Sequence, residues 1–165
     1  MTYVCTRCGQ IHEGLPSAAF DRPTYAHDVP EDEIPARVLL TADLCVVDDE
    51  HFFIRGVIEI PIHDYPDSLV IGAWVSQKKE NYEAYVENAS SADIGPFFGW
   101  LSNELSFGGE PTLLLKTMVH FRGESLRPQI LLEPTDHPLA RAQSDGITLS
   151  QAWDFLHPYI ERAAT

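Results

Sequence analysis

"HFFIRGVIEIPI", residues 51–62, is the stretch on which the fold turns. Its even positions, Phe52, Ile54, Ile58, Ile60 and Ile62, are apolar, whereas the odd positions include His51, Arg55, Glu59 and, just beyond, His63. Side chains of an extended chain alternate between faces, so this spacing predicts a β-strand with one buried and one wetter face. Phe52, Ile54, Ile58 and Ile60 are the expected core residues, and Arg55 and Glu59 the expected wetter ones.

Outward from that strand the β pattern continues. "RVLLTADLCVVDD" (37–49) gives one or two short strands ending in a polar turn at Asp48, Asp49 and Glu50. "SLVIGAWVS" (68–76) is apolar on both faces, which suits a central strand. "GPFFGWLSNEL" (95–105), "PTLLLKTMVHFRG" (111–123) and "RPQILLEP" (127–134) supply three more. Helical spacing is confined to "VPEDEIPARV" (29–38), to "SQKKENYEAYVENA" (76–89) with Ser76 as N-cap, and to a C-terminal segment. In that last segment Thr148 and Gln151 form a capping box, Leu149, Trp153, Leu156 and Ile160 make the apolar face, and Pro158 predicts a kink or break. Strands in succession with helices beside them predict an α+β fold: a mainly antiparallel sheet of about five or six strands with flanking helices. A single domain over 1–165 is expected, with 1–26 as an irregular N-terminal wrap and 27–165 as the body.

The composition suits one soluble core: 165 residues, 44% hydrophobic, with twelve prolines and ten glycines favouring sharp connections. The longest apolar runs are broken by charge and fall short of a membrane span. The opening "MTYVCTRCGQ" lacks the basic start and apolar run of a signal peptide, so a cytoplasmic location is expected. Twenty-five acidic residues against eleven basic ones give a formal charge of −14. That field repels phosphate backbones and anionic lipid, which argues against nucleic-acid and membrane partners and favours a basic protein.

"YVCTRCGQIHEGLP" (3–16) carries the chemistry most worth weighing. Cys5 and Cys8, two residues apart and followed by Gly9, have the spacing of a zinc knuckle, in which thiolates and imidazoles surround one ion tetrahedrally. His12 is the nearest further ligand. Cys45 and His137 are the preferred distant ones, with His51 and His120 as remaining imidazoles, although Cys45 between Leu44 and Val46 also reads as a core residue. Four protein ligands would make any zinc structural. The pair lies too near the chain start for a thioredoxin-like βα framework, and an odd cysteine count disfavours a disulfide. Reduced, metal-free thiols are the competing reading.

Two other groups could carry chemistry. Lys116, Met118 and His120 point to one face of their strand; if Arg55 and Glu59 share it, the sheet carries a polar cluster able to hold an anion or move a proton. The alternative is a solvated face with cross-strand ion pairs. In "PTDHPLARA", Asp136 reads as an N-cap with Pro138 just inside a helix. There is no G-x-S-x-G elbow, phosphate-cradling glycine loop or H-E-x-x-H pair.

Four segments, "YVCTRCGQIHEGLP", "DLCVVDDEHFFIRG", "FFGWLSNEL" and "LEPTDHPLARAQSDGI", together resemble a bacterial family known as domain of unknown function 2199. The resemblance spans nearly the whole chain in the same order. It implies a bacterial, single-domain, cytoplasmic protein, with Cys5, Cys8, His12 and His137 at matching positions but without assigned roles. The leading expectation is a non-enzymatic, zinc-stabilised domain that binds a protein or small ligand. The alternatives are an acidic immunity-type inhibitor of a basic protein and a small enzyme using Arg55, Glu59, Lys116 and His120.

Overall fold

The computed structural model describes residues 2–4, 9–124 and 126–163, with side chains for all of these except Tyr3 and residues 160–163. Cys5 and Cys8 lie outside the described residues. In chain order the elements are β1 (Thr2–Val4), β2 (Ile11–Glu13), β3 (Ala18–Ala19), α1 (Thr24–His27), a 3₁₀ turn at Glu31–Glu33, α2 (Ile34–Arg37), β4 (Val38–Leu40), β5 (Leu44–Val47), β6 (His51–Ile60), β7 (Leu69–Gln77), α3 (Lys79–Glu87), β8 (Phe97–Trp100), β9 (Lys116–His120), β10 (Gln129–Leu132), α4 (Pro138–Asp145) and α5 (Leu149–Ala163). No helix among the described residues is long and apolar enough to cross a membrane.

β1 and β2 form a hairpin of their own, with Tyr3 opposite His12. The other eight strands make one sheet in the order β3–β7–β6–β10–β9–β8, with β5 paired to the start of β6 and β4 paired to β5. Five of its joins are antiparallel. Two are parallel, Ala18–Ala19 along Ile71–Gly72 and Gln129 beside Val57. The fold is thus α+β as expected, but the sheet is mixed and larger than the five or six strands predicted. Both parallel joins are short and bring together segments distant in sequence, a feature that local alternation cannot encode.

The sheet also curls. Just past β8, Leu101 bridges back antiparallel to Val75 on β7, and Ser102 N–H donates to the Trp74 carbonyl at 2.8 Å. Gly99 permits this approach, since a Cβ there would lie 2.5 Å from the Ser76 carbonyl oxygen. The Trp100 N–H donates to Ser76 Oγ at 3.1 Å, so Ser76 works inside the strand, and Lys78, rather than Ser76, stands at the N-cap position of α3 without a side-chain cap bond.

The even face of β6 behaves as its pattern predicts. Ile54, Ile58 and Ile60 are fully buried in the main core, together with Leu69, Ile71 and Val75 of β7 and with Leu139, Trp153 and Leu156 of α4 and α5. Phe52 is only half-buried, against Tyr82 of α3, whereas Phe53 on the other face is buried. The reason is a second, smaller core outside the sheet: Ala26 and Val29 of the N-terminal segment cover Cys45, Val47, Phe53 and Trp74. The described part of residues 1–26 thus carries regular elements, β1, β2, β3 and the start of α1, where an irregular wrap was expected. Arg55 and Glu59 are half-exposed, as expected.

The C-terminal capping box is present: Thr148 N–H donates to Gln151 Oε1 at 2.8 Å and Gln151 N–H to Thr148 Oγ1 at 3.2 Å. Pro158 does not end the helix, which continues to Ala163; Trp153, Phe155 and Leu156 in the preceding turn are held in the core.

Candidate functional site

The outer faces of β8, β9 and β10 carry a row of side chains set by strand register. Phe98 lies opposite Met118, and Met118 opposite Leu131. The next row is Trp100 opposite Lys116, with Glu133 N–H donating to the Lys116 carbonyl at 2.9 Å. Period-two alternation forces this outcome: Thr117 and Val119 turn inward and are buried, so Lys116, Met118 and His120 must turn out. Between the rows runs a groove of about 330 Å³, lined chiefly by Phe98, Met118, Leu131, Leu132 and Pro134, with Lys116, His120 and Glu133 around it. Phe98, Trp100 and Met118 remain 41%, 40% and 37% exposed. Large aromatic and methionine side chains left at a surface in one contiguous group are the composition of binding faces rather than of solvated ones.

Leu114 extends this face. It lines a smaller hollow of about 200 Å³ with Trp100 and Lys116, is 63% exposed, and holds a left-handed backbone at φ 68°. A bulky L-residue in that conformation is strained by about 1–2 kcal/mol. The surroundings impose it: Leu114 N–H donates to the Leu101 carbonyl at 2.7 Å, and buried Thr112 ties the loop by donating to the Asn103 carbonyl at 2.9 Å and accepting from Leu105 N–H at 2.7 Å. Strain of this kind collects at sites of function. A Leu114→Gly substitution is expected to leave stability unchanged or raise it by up to about 1 kcal/mol, relieved strain being partly offset by chain entropy. A loss of stability of more than about 1 kcal/mol in denaturation would show that the Leu114 side chain supports the loop.

The four-residue polar cluster assembles only in part. Lys116 and His120 share the groove. Glu59 instead accepts from Arg122 Nη1 at 3.2 Å. Arg55 donates from Nη1 to the Ala42 carbonyl at 3.2 Å and lies over the Trp74 ring at 5.9 Å; burial and neighbouring Arg127 lower its pKa. A larger hollow of about 480 Å³ lies between α4 and α5, edged by Phe107, Phe155, Arg141 and Asp145. It lacks an exposed apolar row, and Arg141 and Asp145 approach each other there to 4.0 Å.

Of the candidate metal ligands, Cys5 and Cys8 lie outside the described residues, and His12, Cys45 and His137 stand in different parts of the fold. His12 in β2 stacks on Trp153 of α5, ring centres 4.1 Å apart and planes 22° apart. Cys45 sits fully buried in the second core, where burial pushes its thiol up to about 11 and so keeps it neutral. His137, rather than Asp136, is the N-cap of α4: its Nδ1 accepts from Leu139 N–H at 3.0 Å, and its Nε2 lies 2.8 Å from the Pro111 carbonyl, which fixes that nitrogen as the donor. His51 bonds the Tyr25 hydroxyl at 3.1 Å. Among the described residues no group of three or more His, Cys, Asp or Glu is disposed around a metal.

Two sets of residues escaped the sequence reading. Phe98 and Trp100 belong to a strand that was recognised, but only the curl of the sheet shows that their face stays open. His157 of α5 is 3% exposed beside Trp153. Its signal was available: a histidine four residues after Trp153 falls on the same apolar helix face.

Fold and face together describe a mixed α+β protein with a curled sheet and an open apolar groove. The chain belongs to the family of uncharacterised proteins conserved in bacteria, domain of unknown function 2199, whose model matches residues 4–147. That span begins at the last residue of β1, takes in β2, the sheet and α4, and stops before α5. No curated protein and no solved structure matches the chain.

Proposed function

We propose that this protein is a non-enzymatic binding domain whose N-terminal hairpin is stabilised by zinc and whose outer sheet face docks a protein partner. The observation that carries the reading is the cross-strand row of exposed Phe98 and Met118 with half-buried Leu131, flanked by Trp100 and the strained Leu114. Aromatic residues in a desolvated patch dominate interface energetics, and a strained apolar residue held at the rim supports a selected contact over incidental exposure. Lys116 and His120 supply orienting donors beside an apolar centre. The zinc part rests on the Cys5 and Cys8 spacing with His12 close behind; thiolate and imidazole are the ligands that zinc prefers.

The test is affinity capture from the native host with the wild type and with a Phe98→Ala, Trp100→Ala double variant, matched for fold by circular dichroism. A partner held through this face should bind the variant at least about a hundredfold more weakly, as expected when hot-spot aromatics are truncated. Because apolar burial drives it, capture should persist as salt rises. The formal charge of −14 favours a second reading, an acidic inhibitor of a basic protein. Capture that is unaffected by the double variant and collapses with salt would support that reading and overturn the groove, since surface charge interactions are screened within about 8 Å at physiological ionic strength.

A further inference from the structure

We infer that the partner docked on the outer sheet face is a second copy of this chain, packed face to face about a two-fold axis that runs along the strands between β9 and β10. This rests on the reading of that face above and names its occupant.

Strand register carries the inference. β9 and β10 are antiparallel, with His120 opposite Gln129 and Met118 opposite Leu131. One row further, the Glu133 N–H donates to the Lys116 carbonyl, which continues the register and sets Lys116 opposite Glu133. Residues directly opposite on an antiparallel pair share a face. Here it is the outer one, since Thr117, Val119, Ile130 and Leu132 turn inward and are buried. A two-fold axis lying between two such faces and parallel to the strands exchanges the β9 and β10 positions of every row. Lys116 of one copy then meets Glu133 of the partner subunit, and Met118 meets Leu131 of the partner subunit. His120 likewise meets Gln129 of the partner subunit. Each row is thus complementary to itself: cation to carboxylate, apolar to apolar, polar to polar. An isologous contact demands this, because each pair of residues in it occurs twice.

The charges are placed to serve it. Lys116 and Glu133 are both exposed, and among the described residues neither has an ion-pair partner, although they stand in one row. Two copies with a formal charge of −14 each repel one another, so apolar burial must supply the affinity and the Lys116–Glu133 pairs the register. Phe98 and Trp100 on β8, one strand out from the axis, flank the contact on either side. The exposed parts of Phe98, Trp100, Met118 and Leu114 offer roughly 400 Å² per copy, half of the 800 Å² or so that each partner gives to a standard interface. The rest falls to a polar rim, so a reversible dimer with a micromolar dissociation constant is expected rather than an obligate one.

Sedimentation equilibrium on the full-length protein, from about 1 to 200 µM, should show monomer and dimer in exchange. The Phe98→Ala, Trp100→Ala double variant should weaken the dimer at least about tenfold. Lys116→Glu and Glu133→Lys each set like charges against one another on both sides of the axis, and each should weaken it by about tenfold or more. An equimolar mixture of these two variants should recover the wild-type affinity to within about threefold, because every facing pair is again of opposite sign. An ion pair within one chain cannot produce that recovery. A dimer indifferent to the single reversals, or one that the mixture does not restore, overturns the two-fold arrangement. A wild type that stays monomeric throughout the range overturns the second copy; if capture from the host then still depends on Phe98 and Trp100, the sheet face keeps its role with a different protein. A monomeric wild type whose capture also survives the Phe98→Ala, Trp100→Ala variant overturns both.

Discussion

Trp74→Ala should cost about 3–5 kcal/mol, a large share of the 5–15 kcal/mol by which a domain of this kind is stable. The indole is fully buried and holds two layers together. On one side it packs with Ala26, Val29, Cys45, Val47 and Phe53; on its edge Nε1 donates to the Phe20 carbonyl at 2.9 Å. Truncation leaves a cavity between the sheet and the N-terminal wrap and a carbonyl without its donor. Trp74→Phe keeps most of the volume and should lose far less, about 1–2 kcal/mol. Urea denaturation followed at unchanged slope measures both. An alanine variant within about 1 kcal/mol of wild type would mean that the second core contributes little.

Asn103→Ala should be nearly as damaging, at roughly 2–4 kcal/mol, although it removes few atoms. The side chain is almost completely buried, accepts from Trp74 N–H at 2.8 Å and donates to the Arg22 carbonyl at 2.9 Å. It therefore replaces the strand partner that β7 lacks where the sheet curls, and fastens residues 20–24 there beside the Thr24 N–H, which donates to the Ser102 carbonyl at 2.8 Å. An alanine leaves the buried Trp74 N–H and the part-buried Arg22 carbonyl without these partners. Because Trp74 and Asn103 share one hydrogen bond, the double variant should lose less than the sum of the singles. Limited proteolysis should find the Arg22 region cut faster in Asn103→Ala than in wild type; equal cutting rates would contradict the role given to this side chain.

Both residues show what a sequence can and cannot convey. The strand at 51–60 was legible because Ile54, Ile58 and Ile60 alternate with polar residues, and the capping box because Thr148 and Gln151 are local partners. The family was legible from four ordered segments. Phe53 defeated the alternation rule: a segment some 25 residues upstream covers the outer face, which no window around the strand reveals. The parallel joins at Ala18 and Gln129, and the curl that leaves Phe98 and Trp100 open, likewise depend on chain segments meeting at a distance. Ser76 and Asp136 have good capping chemistry, but at the first the strand runs on into that position and at the second the next residue, His137, does the capping. The candidate site was legible as residue types in Lys116 and His120, while the aromatic row that gives them a setting was not.

Photo-crosslinking in the native host tests the central claim, that the outer sheet face is the functional surface, more directly than any other measurement. A benzophenone side chain placed at position 98 should yield a discrete adduct that disappears when Trp100→Ala is added, and the same probe at Leu39, an exposed apolar position on β4, should yield none. An adduct pattern shared by both positions, or no adduct from position 98, would contradict it.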